Sequence, residues 1–298
     1  MSNIKKTGPF VYKNQECMKK MHEFYDKALN SLQVAYREEY INTSYGNTHV
    51  IIVGDENKTP IFTLHGGNGI SPLNIRLFLP LLEQYCIIAP DVIGMPGKSE
   101  PYRNLNTNRE DYGLWLCELL DCMNINKISF VVSSYSSAMM LSLAKVSPDR
   151  IDKAMLLVPS GIAHGAIAPM MSKMALPFMK YYFAPTENAL NDIMDIMVSE
   201  GDDLWREFLD LMMSSYKMEM RAPKEYKKKE LERFDSSIII FASNDDIFFP
   251  ANKVFSKAEL IFEKKPQTYL IEGKHLPSKA TMSYVCDKTI EFFNKNED

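Results

Sequence analysis

With 298 residues, 46% of them hydrophobic and 24% charged, the chain can bury a full core as one large domain or as a domain carrying an insertion, which excludes disorder as the starting reading. A formal net charge of −4 and a pI near 5.8, with no clustered basic excess, speak against a nucleic-acid partner. The opening MSNIKKTGPF has no apolar run of signal-peptide length behind its lysines, and no window reaches the roughly 18 apolar residues of a membrane span, so a soluble cytoplasmic protein is expected.

In chain order, residues 14–38 place Met18, Met21, Phe24, Tyr25, Ala28, Leu32 and Ala35 at helical spacing and predict an N-terminal amphipathic helix. THVIIVGD, TPIFTLHGGNG and YCIIAPDVIGMPG are short β-branched or apolar runs closed by Gly, Asp or Asn, the pattern of buried strands that end in loops. Residues 109–122 then predict a helix, ISFVV a strand, residues 136–145 a helix and KAMLLVP a strand. Strands and helices alternating at this spacing imply right-handed βαβ units and a mostly parallel sheet covered on both faces.

From Gly161 to about Phe234 the strand-like runs vanish, and methionines and aromatics recur at helical spacing, as in PMMSKMALPFMKYYF and LWREFLDLMMSSYKMEM. We read this as a helical insertion, 161–234, within an α/β core of 41–160 and 235–298, preceded by a helical extension, 1–40. The α/β pattern resumes with SSIIIFASNDD, a helix near 252–262, QTYLIEG and a last helix over 279–293.

Five scattered cysteines without a CxxC pair predict neither a disulfide framework nor a metal site. The basic run Lys227 to Lys229, bracketed by Glu225 and Glu230, reads as a solvated helix face.

In such a sheet ligands sit at the carboxyl ends of the strands, so chemistry should collect in the loops that follow them. Four of these loops carry unusual polar residues. HGGNG, residues 65–69, lets backbone N–H groups approach a bound group with no Cβ in the way. SSYSS, residues 133–137, lies between a strand and a helix, where a strained elbow can expose a nucleophile. ASNDDIFFP offers Asp245 and Asp246, and EGKHLPS offers His275. Serine, aspartate and histidine at the ends of successive strands stand in the chain order of one known triad arrangement.

With these pieces in place, the sequence resembles the α/β-hydrolase superfamily from about Tyr45 to Phe293, more weakly in the insertion. The carrying motifs are HGG-x-G at 65–69, DVIGMPGKS at 91–99, the serine cluster, DIFFP at 246–250 and G-x-H ending at His275. Counting back from Pro148, as the family's elbow helix implies, places the nucleophile at Ser134, with Ser136 as the alternative register. The resemblance then implies Asp246, rather than Asp245, as the carboxylate that orients His275, and the amides of Gly67 and Tyr135 as an oxyanion hole. It makes His65 a brace for its loop and Asp91 a loop-holding residue. His22 is expected at the surface, and His164 is a lesser candidate for the pocket.

The sequence departs from G-x-S-x-G, since Val132 and Ser136 stand where glycines are usual, and a valine there should crowd the turn. The expected activity is therefore hydrolysis of an ester or related acyl bond of a small, largely apolar substrate through an acyl-enzyme, without cofactor or metal. The rival is a degenerate relative that binds a small apolar ligand, and the state of oligomerisation is left open. The methionine-rich helices read as core or as a substrate sleeve, and the N-terminal helix as packing or as an interaction module.

Overall fold

The computed structural model describes residues 8–295, without the side chains of 167–171. The opening MSNIKKT and the Met170 side chain therefore lie outside the described residues. One eight-stranded sheet organises the chain: β1 (Tyr36–Thr43), β2 (Gly46–Val53), β3 (Thr59–Leu64), β4 (Tyr85–Pro90), β5 (Ile128–Ser133), β6 (Ile151–Leu157), β7 (Ser237–Ala242) and β8 (Gln267–Leu270). Their spatial order is β1-β2-β4-β3-β5-β6-β7-β8. The β1–β2 and β2–β4 pairings are antiparallel and the rest are parallel.

The composition of the strands follows from what covers them. β4, YCIIAP, is buried along its whole length, as a strand enclosed on both faces must be. Alternate residues feed two separate cores: Val50, Ile52, Phe62, Phe130 and Ile240 belong to one, Ile51, Val53, Ile61, Val131, Ile239 and Phe241 to the other. One face is covered by α3 (Asp111–Cys122), α4 (Tyr135–Val146) and α8 (Ala251–Ile261), the other by α1 (Gln15–Asn30), α2 (Ser71–Leu77) and α9 (Lys279–Phe293). α3 and α4 cross closely at Gly113, where a Cβ would stand 2.4 Å from the Ser142 carbonyl oxygen.

Two sequence expectations need correction. The first helix stops at Asn30 rather than near 38, and residues 36–43 form β1, so the sheet begins inside the stretch assigned to a helical extension. The helix starts where Asn14 accepts from the Cys17 N–H, and the chain turns out of it through Gln33 at φ +53°. YREEYINT is charged and mostly exposed because β1 is an edge strand, so it lacks the apolar run that marks its neighbours. Secondly, Lys227 to Lys229 lie at a short 3-10 turn (Lys228–Glu230), exposed as expected but not on a helix face.

Between β6 and β7 the chain forms α5 (Ile167–Phe183), α6 (Glu187–Met197) and α7 (Asp203–Ser215), then returns as an extended segment. α7 packs on α1. α1 thus buries Met21, Phe24, Tyr25, Ala28 and Leu29 against its own chain, which accounts for its apolar face without an outside partner.

Candidate active site

β5 ends at Ser133 and α4 begins at Tyr135, leaving Ser134 alone at the junction with φ +55° and ψ −126°. That backbone is costly for a residue with a Cβ and persists only where its surroundings impose it. Here the Ser134 N–H donates to Leu157 O at 2.9 Å, and its carbonyl accepts from the Ser137 N–H, the Ser160 N–H and the Ser160 hydroxyl. The turn throws the Ser134 side chain out over the end of the sheet while Ser133, Ser136 and Ser137 stay buried.

The Ser134 Oγ lies 2.8 Å from His275 Nε2, and His275 Nδ1 lies 2.8 Å from Asp246 Oδ2. A carboxylate only accepts, so Nδ1 carries the proton toward Asp246 and Nε2 is left to accept from the serine hydroxyl. Asp246 is fully buried, and its other oxygen accepts from the Phe248 N–H at 2.8 Å. Phe248 and Phe249 pack on the imidazole, with ring centroids 4.9 and 5.7 Å away. Asp245 is exposed and outside this chain of hydrogen bonds.

Ser136 has a different job. Its Oγ accepts from the Ser133 N–H at 3.0 Å and lies 2.8 Å from both Leu64 O and Ser133 O, so it is sealed in the backbone behind the elbow. Val132 is fully buried in the apolar core, and the close approach of α4 to the loop after β6 is made at Gly161, whose Cβ would meet Ala138 Cβ at 3.0 Å.

Facing Ser134 is the HGGNG loop. A Cβ on Gly67 would press on the Tyr135 ring at 2.9 Å, so that glycine permits this approach, while one on Gly66 would make an ordinary contact 3.8 Å from Ser134 Oγ. Tyr135 opens α4, where the first N–H groups have no acceptor within the helix. His65 braces the loop: Nδ1 donates to Gly66 O, and Nε2 accepts from the Val92 N–H. Burial lowers its pKa, in keeping with a neutral ring.

Asp91 also ends a strand but serves a separate network. It accepts from the Ser71 and Lys98 N–H groups and from His49 Nδ1, while His49 Nε2 faces Glu38. Burial pushes the Asp91 carboxyl up, and the hydrogen bond from His49 with the nearby imidazoles more than offsets this, holding it below the usual range. Of the remaining histidines, His22 is half-buried against Gly97 O rather than at the surface. His164 bonds to Pro223 O and is absent from the cavity wall.

That cavity, about 110 Å³, opens beside Ser134 and His275. Its apolar wall includes Leu73 and Leu77 of α2, and Trp205, Phe208, Leu209 and Met212 of α7. No Lys, Arg, Asp or Glu lines it. Among the described residues no group of three or more His, Cys, Asp or Glu side chains is placed to hold a metal ion, and no helix is long and apolar enough to cross a membrane. The five cysteines are unpaired.

Residues that sequence reasoning passed over are Ser160, which locks the nucleophile turn, and Asn74, which accepts from the Ser133 hydroxyl at the cavity wall. Ser160 carries one signal, its place beside Gly161 just after β6, the strand-end loop left out of the four considered. Asn74 carries none, being one polar residue in a short helix.

Known proteins share the fold. Residues 59–232, more than half of the chain, match the family described as the α/β hydrolase fold. A Bacillus subtilis carboxylesterase designated nap is 22% identical over 284 residues, covering 92% of each chain. The carboxylesterase YbfK of the same organism is 20% identical over 282 residues, covering 92% of this chain and 93% of its own. The crystal structure of naproxen esterase from Bacillus subtilis superposes with a TM-score of 0.79 at 20% identity, covering 95% of this chain and 100% of that one.

Proposed function

Since the chain belongs to the α/β-hydrolase fold family, we propose that it is a serine hydrolase cleaving carboxylic esters of small, largely apolar substrates. The observation that carries this reading is the unbroken relay from Ser134 through His275 to buried Asp246, set at a backbone turn that exposes only that serine. The carboxylesterase relatives, similar along nearly their whole length, support the same bond type.

The chemistry follows from the geometry. His275 Nε2 takes the proton as Ser134 Oγ attacks the ester carbonyl, and Asp246 holds the tautomer and stabilises the imidazolium that forms. The Gly67 and Tyr135 amides receive the negative charge that develops on the carbonyl oxygen. His275 then returns its proton to the leaving alcohol, and water, activated by the same imidazole, releases the acid. None of these steps calls for a metal or an organic cofactor.

The uncharged, mostly apolar cavity favours a neutral acyl or aryl group over a charged one, since an unpaired charge there would lose its hydration without compensation. Helices α5 to α7 act as a cap, with α7 supplying one wall of that cavity. Five scattered, unpaired cysteines favour a cytoplasmic setting.

Short- and medium-chain p-nitrophenyl esters, together with a fluorophosphonate probe, test the proposal in the wild type and in Ser134→Ala and Ser136→Ala. Turnover and labelling are expected in the wild type and in Ser136→Ala, and neither in Ser134→Ala. A wild type that neither turns over nor labels would instead favour a protein that only binds apolar ligands, and activity surviving Ser134→Ala would move the nucleophile elsewhere.

A further inference from the structure

The two glycines before Asn68 have no side chain with which to fix their peptide planes, yet an oxyanion donor works only if its N–H is aimed in advance. Gly66 and Gly69 close a tight turn, Gly69 N–H to Gly66 O at 3.1 Å, and Asn68 occupies its third position at φ +56°, where Asn and Gly are favoured. What distinguishes Asn68 from a plain turn residue is its side chain. The Nδ2 donates to Glu219 O at 3.1 Å, and the Oδ1 accepts from the Glu219 N–H at 2.6 Å. The amide group thus pairs with one backbone residue at both ends, as a neighbouring strand would, across 151 positions of sequence. Its own N–H points to Met95 Sδ at 3.5 Å.

The far side of this pairing is itself held. The Glu219 carboxylate is nearly fully buried and accepts from the Arg221 N–H and guanidinium, with Arg103 in ion-pair reach at 3.4 Å. Arg103 in turn donates to the Tyr216 hydroxyl and to Lys217 O. The segment 216–221, which brings the chain back from α7, is a post held by ion pairs and hydrogen bonds rather than a slack loop.

We propose that Asn68 is a positioning residue, anchoring the glycine loop to the Glu219 backbone so that the Gly67 amide is preset toward the carbonyl oxygen of the substrate. The inference rests on the ester-hydrolase reading above and goes one step further, tying the oxyanion loop to the segment that returns from the cap.

The experiment compares Asn68→Gly with Asn68→Ala. Glycine removes the anchor but tolerates φ +56°, whereas alanine removes the anchor and strains the backbone as well. Both are expected to lower kcat on a p-nitrophenyl ester about 10- to 100-fold, a share of what loss of a whole oxyanion donor costs. KM should stay within about twofold, because ground-state binding does not use that amide. Affinity for an alkyl trifluoromethyl ketone, which places an oxyanion in the same position, should fall by the same factor as kcat. Should Asn68→Ala fail to fold, Asn68→Gly carries the test alone.

A glycine variant as active as the wild type, with only alanine impaired, would show that the turn conformation and not the anchor matters, and would overturn the proposal. So would a rise in KM at constant kcat, the mark of a residue that merely shapes the pocket. A wild type without esterase activity or fluorophosphonate labelling would remove the underlying reading and this inference with it, an outcome distinct from an active wild type with indifferent Asn68 variants.

Discussion

Phe24 of the N-terminal helix stacks on Phe208 of α7, ring centroids 5.9 Å apart and planes 28° from parallel, and Phe208 forms part of the cavity wall beside Ser134. A residue 110 positions before Ser134 thereby backs one wall of that cavity. Phe24 is 3% exposed, so Phe24→Ala should cost about 3–5 kcal/mol through lost burial and the void left behind. Thermal unfolding would read that loss. In the fraction still folded, KM for medium-chain esters should rise more than KM for acetate, since only the longer chain reaches the loosened wall. Equal KM changes for both would detach α1 from the pocket.

Asp246 holds His275 through a single oxygen while its other oxygen is occupied by the Phe248 amide. Asp246→Asn keeps the shape but presents a donor or a neutral acceptor to Nδ1, so the ring loses the tautomer that leaves Nε2 free. A fall in kcat of about 10⁴-fold is expected, with little change in melting temperature. Asp245→Asn, on an exposed neighbour outside the relay, should leave kcat nearly unchanged. A large effect at Asp245 with none at Asp246 would reverse the assignment.

How much of this was legible in the sequence depends on whether a residue's role is local. β2 to β7 announce themselves because each carries an apolar run halted by a turn residue, β8 (QTYL) more weakly because it is mostly exposed, and Ser134, Asp246 and His275 each follow the end of a strand. The predicted helix over 14–38 runs into the first residues of β1, because YREEYINT is charged and lies on an edge where burial sets no alternation. Val132 and Ser136 looked like defects because the motif encodes closeness as glycine; here a hydroxyl bonded into the backbone and the distant Gly161 meet that need. Ser160 acts through hydrogen bonds to the Ser134 carbonyl, and Asn68 bonds to a residue 151 positions away, so neither partner can be read from periodicity or local spacing.

The buried Asp91 carboxylate accepts from the Ser71 and Lys98 backbone amides and from buried His49. Asn in its place has one acceptor oxygen where two are used, and its NH₂ would face a donor. Asp91→Asn is therefore expected to destabilise the protein by about 1–3 kcal/mol, the cost of leaving a buried donor without its acceptor. Chemical denaturation measures this, and kcat per folded molecule should stay near that of the wild type because Asp91 is not in the relay. A stable but inactive variant would instead give Asp91 a role in the reaction.

Leu209 is nearly buried on α7 and faces the cavity, whose volume is only about 110 Å³. Leu209→Trp should fill that space from the α7 wall. Each methylene that can no longer be buried forfeits about 0.8 kcal/mol, so activity should fall roughly fourfold for every added CH₂ beyond the shortest acyl chains. The ratio of kcat/KM for acetate over hexanoate would report it. An unchanged ratio would mean that the acyl chain runs elsewhere.

Glu230 sits between Lys145 and Lys224, 3.0 and 2.9 Å from their ammonium groups, and also accepts from the Lys227 N–H. Partial burial alone would raise its pKa, but the hydrogen bonds from the two lysines outweigh that and bring it down to about 2. An unfolded glutamate titrates near about 4.3, so the folded state binds the proton less readily than the unfolded state does. The stabilisation is accordingly complete above about pH 5 and is lost as the pH falls toward and through 2, below which both states are protonated. Glu230→Gln lacks it at every pH. At neutral pH the variant should melt lower, by an amount worth about 1 kcal/mol for a partly exposed pair of ion contacts. The gap to the wild type should narrow through the acid range and close near pH 2. Melting curves of both proteins from pH 7 to pH 2 test this, and a gap that stays constant with pH would trace the loss to packing of the side chain and not to its charge.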